Sequence, residues 1–173
     1  MEVIDNFLPE YQFQQISNVV LSDYFPWFWN EGVVSNYGDV KNPESYQFTN
    51  MIFNIRYGGV VAPKLYSLLD VVQQKLGVGR LDRIKSNLNN KTLFHRKGGY
   101  HTDNHPSDPY QHTKTAVLYI NTNNGYTKFK KGGKVKSVAN RMVIFDSKLE
   151  HTGVTCTDEM KRVVINFNYD ESY

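Results

Sequence analysis

The chain has 173 residues, 40% of them hydrophobic and 14% aromatic, far too much apolar material for a disordered or collagen-like polymer. Lys and Arg number 20 against 17 Asp and Glu, and a net charge of +3 is too mild to announce a nucleic acid or a membrane as partner. One cysteine, Cys156, leaves no internal disulfide and no four-cysteine zinc site, which fits a reducing compartment.

The length fits one domain over 1–173, with 1–80 as a helical and aromatic support and 81–173 as a β core. The start, Met1-Glu2-Val3-Ile4-Asp5, carries acid where a signal peptide carries base. The longest unbroken apolar runs, such as Ala116 to Ile120, fall far short of a bilayer span. A soluble, cytoplasmic protein is expected.

Pro9 suits a first helical position, and Phe13, Ile16, Val19 and Val20 recur at helical spacing, so a helix is predicted up to about Ser22. The cluster Tyr24-Phe25-Pro26-Trp27-Phe28-Trp29 reads as core before cofactor box. Tyr24 to Asn30 and Asn36 to Arg56 are also candidates for a cleft wall or lid. Pro63 opens a second helix, its stripe being Leu65, Leu68, Leu69, Val72 and Leu76, and Gly77 closes it.

After Gly79 short β-like runs alternate with turn residues: Arg83 to Leu88, Lys91 to His95, Thr113 to Asn121, Gly125 to Phe129, Lys134 to Val138, Arg141 to Phe145, Gly153 to Cys156 and Arg162 to Tyr169. Helices first and strands afterwards is an α+β order. Eight strands fit a double-stranded β-helix, a jelly-roll barrel braced by the N-terminal helices.

Four histidines, His95, His101, His105 and His112, fall close together, and His151 stands alone after the strand ending at Phe145-Asp146. In extended backbone His101 and Asp103 project to one side, so that imidazole and carboxylate can act together, with His151 completing a triad. Two His and one carboxylate leave three positions of a six-coordinate iron open, the vacancy an Fe(II) oxygenase needs for cosubstrate and oxygen.

The order His101-x-Asp103, then Leu118-Tyr119-Ile120-Asn121, Gly125-Tyr126-Thr127-Lys128-Phe129, Arg141 to Ser147, His151 and Lys161-Arg162-Val-Val-Ile-Asn-Phe-Asn-Tyr169 resembles the 2-oxoglutarate/Fe(II)-dependent dioxygenase superfamily, and within it the prolyl 4-hydroxylase-like branch. The resemblance covers roughly residues 83 to 169 and implies a jelly-roll hydroxylase using Fe(II), 2-oxoglutarate and O2, with ascorbate admitted as a reductant. It gives His101, Asp103 and His151 the metal, and Arg162 the distal carboxylate of 2-oxoglutarate, which guanidinium binds bidentately. Tyr119 is the matching hydroxyl donor to that carboxylate. Strand alternation turns only one of Lys161 and Arg162 inward, and the resemblance favours Arg162. His95 is expected at most to touch the cosubstrate.

His105 and Asp108 sit among Pro106 and Pro109 and read as rim residues; His112 reads as a loop or strand-start residue, and Cys156 as a small buried hydrophobe. The basic run Lys128 to Lys136 reads as a solvated edge hairpin. An iron oxygenase is weighed against a catalytically silent jelly roll used for binding or assembly. By the resemblance, the expected substrate is a prolyl residue of a peptide, then a free amino acid or other small metabolite; nucleic acid comes last and no membrane is involved.

Overall fold

A computed structural model of the chain describes residues 1–30, 46–104 and 111–172. In chain order the elements are β1 (Glu2–Ile4), α1 (Glu10–Leu21), β2 (Phe28–Asn30), β3 (Gln47–Asn54), a 3-10 turn (Ile55–Tyr57), β4 (Gly59–Val60), α2 (Pro63–Leu68), α3 (Asp70–Leu76) and β5 (Val78–Asn90). There follow β6 (Lys114–Tyr119), β7 (Tyr126–Phe129), β8 (Lys134–Lys136), β9 (Arg141–Asp146), β10 (His151–Val154) and β11 (Lys161–Glu171).

The strand pairs are antiparallel and form two sheets. The larger runs β1-β9-β6-β11-β5-β3-β2, with β4 on β3, and the smaller runs β10-β7-β8. The segment 96–101 lies beside β10 without becoming a regular strand: Lys97 bridges Val154 and His101 bridges His151. It is held by Gly98 N–H to Gly153 C=O at 3.3 Å and Thr155 N–H to Arg96 C=O at 2.9 Å.

Alternation along the central strands sends successive side chains to two destinations. From β11, Val163, Ile165, Phe167 and Tyr169 join Phe13, Ile16 and Val20 of α1 and Leu65, Leu69, Val72 and Leu76 of the later helices in one apolar cluster. Ala116 and Leu118 of β6 and Ile84 and Leu88 of β5 enter the same layer. The intervening residues face the smaller sheet, where Val117, Tyr119, Val143, Phe145 and Val164 meet Phe129 and Val135. Beyond this second core the space between the sheets becomes polar, and there the cleft opens.

The first helix starts one residue after Pro9, which stands at its N-cap. The second predicted helix is two, because the chain breaks at Leu69, whose ψ of 2° ends α2 and precedes α3; Gly77 caps α3 in the left-handed conformation at φ 64°. Lys91 to His95 forms no strand. The first half, read as helical and aromatic, supplies β1 to β4, and β3 pairs β5 inside the larger sheet. No described helix is long and apolar enough to cross a membrane.

Of the aromatic run, Phe25 is buried and Trp27 packs on the core, whereas Tyr24, Phe28 and Trp29 are exposed. Trp29 stacks on Tyr46 with ring centroids 4.7 Å apart, and Tyr46 lines the cleft. Residues 36–45 of the expected lid, and His105 and Asp108, lie outside the described residues. The basic run forms the β7–β8 hairpin, with Lys134 and Lys136 exposed on the small sheet's edge and Lys130 paired to Glu150 at 2.6 Å.

Candidate metal centre and cleft

His101 and His151 are direct cross-strand partners: His101 N–H donates to the His151 carbonyl at 3.0 Å, and His151 N–H returns the bond at 2.9 Å. Such a pair projects its side chains to one face, and the ring centroids lie 4.6 Å apart. Asp103, two residues on, shares that face, and one ligand atom from each residue falls within 4.8 Å of the others. Phe145 and Phe129 pack on the His151 ring at 4.8 and 6.2 Å and limit its rotation.

Backbone carbonyls set the imidazole tautomers. Nδ1 of His101 lies 3.2 Å from the Gly99 carbonyl and Nδ1 of His151 lies 2.9 Å from that of Leu149. A carbonyl accepts only from a protonated nitrogen, so each ring keeps its proton on Nδ1 and leaves the Nε2 lone pair for a ligand. Nε2 of His151 stands 3.7 Å from Oδ2 of Asp103. Burial, reinforced by His151, lowers the pKa of His101 and favours its neutral, metal-binding form.

Asp103 closes a circuit that sequence reading missed. Arg83 Nη2 donates to Oδ1 at 3.2 Å, and the Thr115 hydroxyl donates to Oδ2 at 2.7 Å. Asn168 Nδ2 donates to Thr115 Oγ1 at 3.0 Å, and Asn168 Oδ1 accepts from Arg83 Nε at 2.9 Å. Asn168 is the register partner of both Arg83 on β5 and Thr115 on β6, so the circuit spans three adjacent strands. Burial alone would raise the Asp103 pKa, but His151, Arg83, His101 and Thr115 outweigh it and hold the carboxyl well below the usual range.

Arg162 is 3% exposed and lines the same cleft. Its Nε donates to Ser137 Oγ at 2.9 Å and its Nη2 to Thr127 Oγ1 at 3.2 Å, and the guanidinium lies 5.6 Å above the Tyr119 ring. Among the described residues no carboxylate pairs with it. Gly125 makes room for its stem, since a Cβ there would stand 2.7 Å from Arg162 Cδ. Lys161 faces the other way, its Nζ donating to the Leu21 carbonyl at the end of α1 at 3.2 Å.

Tyr119 is placed differently from the expectation of direct donation. It is fully buried and does not line the cleft; its hydroxyl donates to Thr127 Oγ1 at 2.7 Å, the same oxygen that accepts from Arg162. His95 is also away from the cleft lining, with Nδ1 against the Thr155 carbonyl at 2.7 Å. His112 is buried beside Asp82, Nδ1 to Oδ2 at 3.5 Å, apart from the triad. Cys156 is buried and free.

The cleft is cationic. Arg83, Lys85, Arg96, Lys97 and Arg162 line it, and Asp103 is the one acid among its described lining. Burial, with Arg83 adding to it against the pull of Asp103, brings the Lys85 ammonium down to about 8. Lys97 lies 5.6 Å from the Tyr100 ring at the cleft edge.

The donor set fits a divalent first-row metal: two imidazole nitrogens and one carboxylate, gathered on one face at the cleft. The buried guanidinium without a counter-ion fits an acid deeper in the same cavity.

No sequence family pattern matches the chain, and no curated protein matches it. Solved structures do. An oxidoreductase of the 2OG-Fe(II) oxygenase family from Burkholderia pseudomallei aligns over 96% of this chain and 83% of its own, at 13% identity and a TM-score of 0.69. A Pseudomonas putida prolyl-4-hydroxylase aligns over 97% and 91%, at 18% identity and a TM-score of 0.60. A Trichoplax adhaerens prolyl hydroxylase, solved with a hypoxia inducible factor oxygen degradation domain peptide, aligns over 98% and 83%, at 15% identity and a TM-score of 0.63. The chain therefore has the fold of the 2OG-Fe(II) oxygenases. The prolyl hydroxylases are among the structures that share it.

Proposed function

We propose that this chain, as one domain over residues 1–173, is an Fe(II)- and 2-oxoglutarate-dependent dioxygenase that hydroxylates an organic substrate. The observation that carries the reading is the coexistence, in one cleft, of a preoriented His101–Asp103–His151 triad and the buried, acid-free guanidinium of Arg162. A silent jelly roll has no use for either: burying a charge without a partner costs several kcal/mol.

His101, Asp103 and His151 would hold Fe(II), and Arg162 would hold the distal carboxylate of 2-oxoglutarate. Bound there, iron and 2-oxoglutarate supply the activation of O2 and the oxidative decarboxylation to succinate that drives C–H hydroxylation. The chain's own residues orient and shield. The Arg83–Thr115–Asn168 circuit fixes the carboxylate of Asp103, and the carbonyls of Gly99 and Leu149 fix the imidazole protons. Tyr119 acts one bond away from the cosubstrate, holding Thr127, which with Ser137 aims the guanidinium. The apolar walls Val117 and Val164 keep water from the cosubstrate's methylenes.

The test is anaerobic reconstitution with Fe(II), then succinate formation from 2-oxoglutarate under O2 with ascorbate present. Slow succinate formation by the wild type, absent in His151→Ala, is expected. A well-folded wild type that makes no succinate overturns the reading. On the likeness of fold, a prolyl residue of a peptide is the first substrate to assay.

A further inference from the structure

Arg83 is committed to Asp103 and Asn168. Arg162 is committed, on the reading above, to the cosubstrate. Lys85 remains. Its register partner on β11 is Asn166, four residues from Arg162, so the two cations stand at different levels of the cleft wall, roughly 13 Å apart along the strand. Lys85 has no hydrogen bond or ion pair among the described residues, although its side chain is largely withdrawn from water.

Its neighbours are also unsatisfied. Oδ1 of Asn166, directly opposite, and Oδ1 of Asn87, next on the same face of β5, are buried without a hydrogen-bond partner among the described residues. A side-chain amide offers donor and acceptor, and turning it exchanges them. One ammonium and two amides thus face the cleft with bonding capacity to spare, which ordered water or a ligand completes in buried polar groups. The cleft opens between β5, in the larger sheet, and residues 96–98, beside the smaller one, and Lys97 adds a second cation on that far lip.

We infer that the substrate is a small molecule bearing an oxyanion, carboxylate or phosphate, which the Lys85 ammonium receives while Asn87 and Asn166 bond the polar groups beside it. The inference rests on the oxygenase reading and narrows its substrate: a free acid satisfies this wall, whereas a prolyl residue inside a peptide brings no charge to it. Iron and 2-oxoglutarate together are neutral, so their binding leaves the cationic excess of the cleft in place for the substrate to meet.

The experiment supplies wild-type protein with Fe(II), 2-oxoglutarate and ascorbate, and measures succinate with each of four probes. These are the free L-amino acids paired with their carboxamides, phosphomonoesters paired with their alcohols, an end-blocked proline-containing peptide, and a single-stranded oligonucleotide. A free acid or a phosphomonoester is expected to stimulate succinate formation while its neutral counterpart does not, and which of the two does so identifies the oxyanion. Calorimetric titration of the stimulating compound into metal-free protein should then show binding about tenfold weaker for Lys85→Met and recovered in Lys85→Arg, as loss and restoration of a charged hydrogen bond require. Stimulation by the neutral partners, by the blocked peptide or by the oligonucleotide alone overturns the inference, as does the lack of any stimulation in a protein that consumes 2-oxoglutarate. Equal binding by Lys85→Met also overturns it, and a loss of 2-oxoglutarate affinity in Lys85→Met matching that of Arg162→Leu would assign Lys85 to the cosubstrate instead. A wild type that consumes no 2-oxoglutarate at all refutes the oxygenase reading itself.

Discussion

Asn168 and Arg83 face each other across β11 and β5, Oδ1 to Nε at 2.9 Å, and through that bond the larger sheet reaches the Asp103 carboxylate of the candidate metal centre. Neither residue belongs to the His101–Asp103–His151 triad. Both determine where the Asp103 carboxylate points, since Arg83 and Thr115 each hold one of its oxygens and Asn168 holds them both.

Replacing Asn168 with Ala should therefore weaken metal binding without removing a ligand. Loss of an outer hydrogen-bond partner lowers metal affinity by about ten- to a hundredfold. Titration with Co(II) or Mn(II), followed by calorimetry, measures it. Unchanged affinity in a folded variant would mean that the circuit does not orient Asp103.

Arg162→Leu should raise the 2-oxoglutarate requirement roughly ten- to a hundredfold, the equivalent of ~1.5–3 kcal/mol for a charged hydrogen-bonded pair. Lys161→Leu should leave it nearly unchanged, because Lys161 bonds the end of α1 from the opposite face. The KM for 2-oxoglutarate in uncoupled turnover separates the two. The reverse ranking would give the anchor to Lys161.

Asn140 ties the N-terminal segment to the sheet. It sits at φ 60°, and its amide accepts from Leu8 N–H at 2.9 Å and donates to the Leu8 carbonyl at 2.8 Å. Asn140→Ala leaves both buried backbone groups unpaired and should cost about 2–4 kcal/mol. Urea unfolding checks this.

Two carboxylates away from the His101–Asp103–His151 triad make the fold without added metal acid-sensitive. Burial would raise the pKa of Asp170, but Arg80 and Thr113 lower it further; burial likewise opposes His112 and Arg56 at Asp82, and the net shift is again downward. A carboxyl depressed in the folded state contributes stability that is complete above its unfolded pKa and is lost as pH falls through the folded one. Thermal stability of metal-free protein should thus be level near neutrality and decline once pH drops below about 4. In Asp170→Asn that acid decline should be shallower.

The grouping of His101, Asp103 and His151 is legible because its geometry is local: His101 and Asp103 are two apart on extended chain, and His151 follows a well-marked strand. The helix stripes were legible for the same reason. β3 was not, because both its faces are used and a register shift between Met51 and Phe53 breaks the alternation that marks a strand. Arg83, Thr115 and Asn168 carried no local signal either. Each is an ordinary polar residue of a strand, and only the register of β6, β11 and β5 shows that they share a row. The position of Tyr119 depends on Thr127, which the packing of the smaller sheet on the larger one brings against it and no spacing announces.

The most direct measurement is the visible absorption of the anaerobic protein with Fe(II) and 2-oxoglutarate. A weak charge-transfer band, present in the wild type and absent in His151→Ala of equal circular dichroism, is the expected result. A folded wild type that shows no band at saturating Fe(II) and 2-oxoglutarate would contradict the assignment of His101, Asp103 and His151 as the iron site.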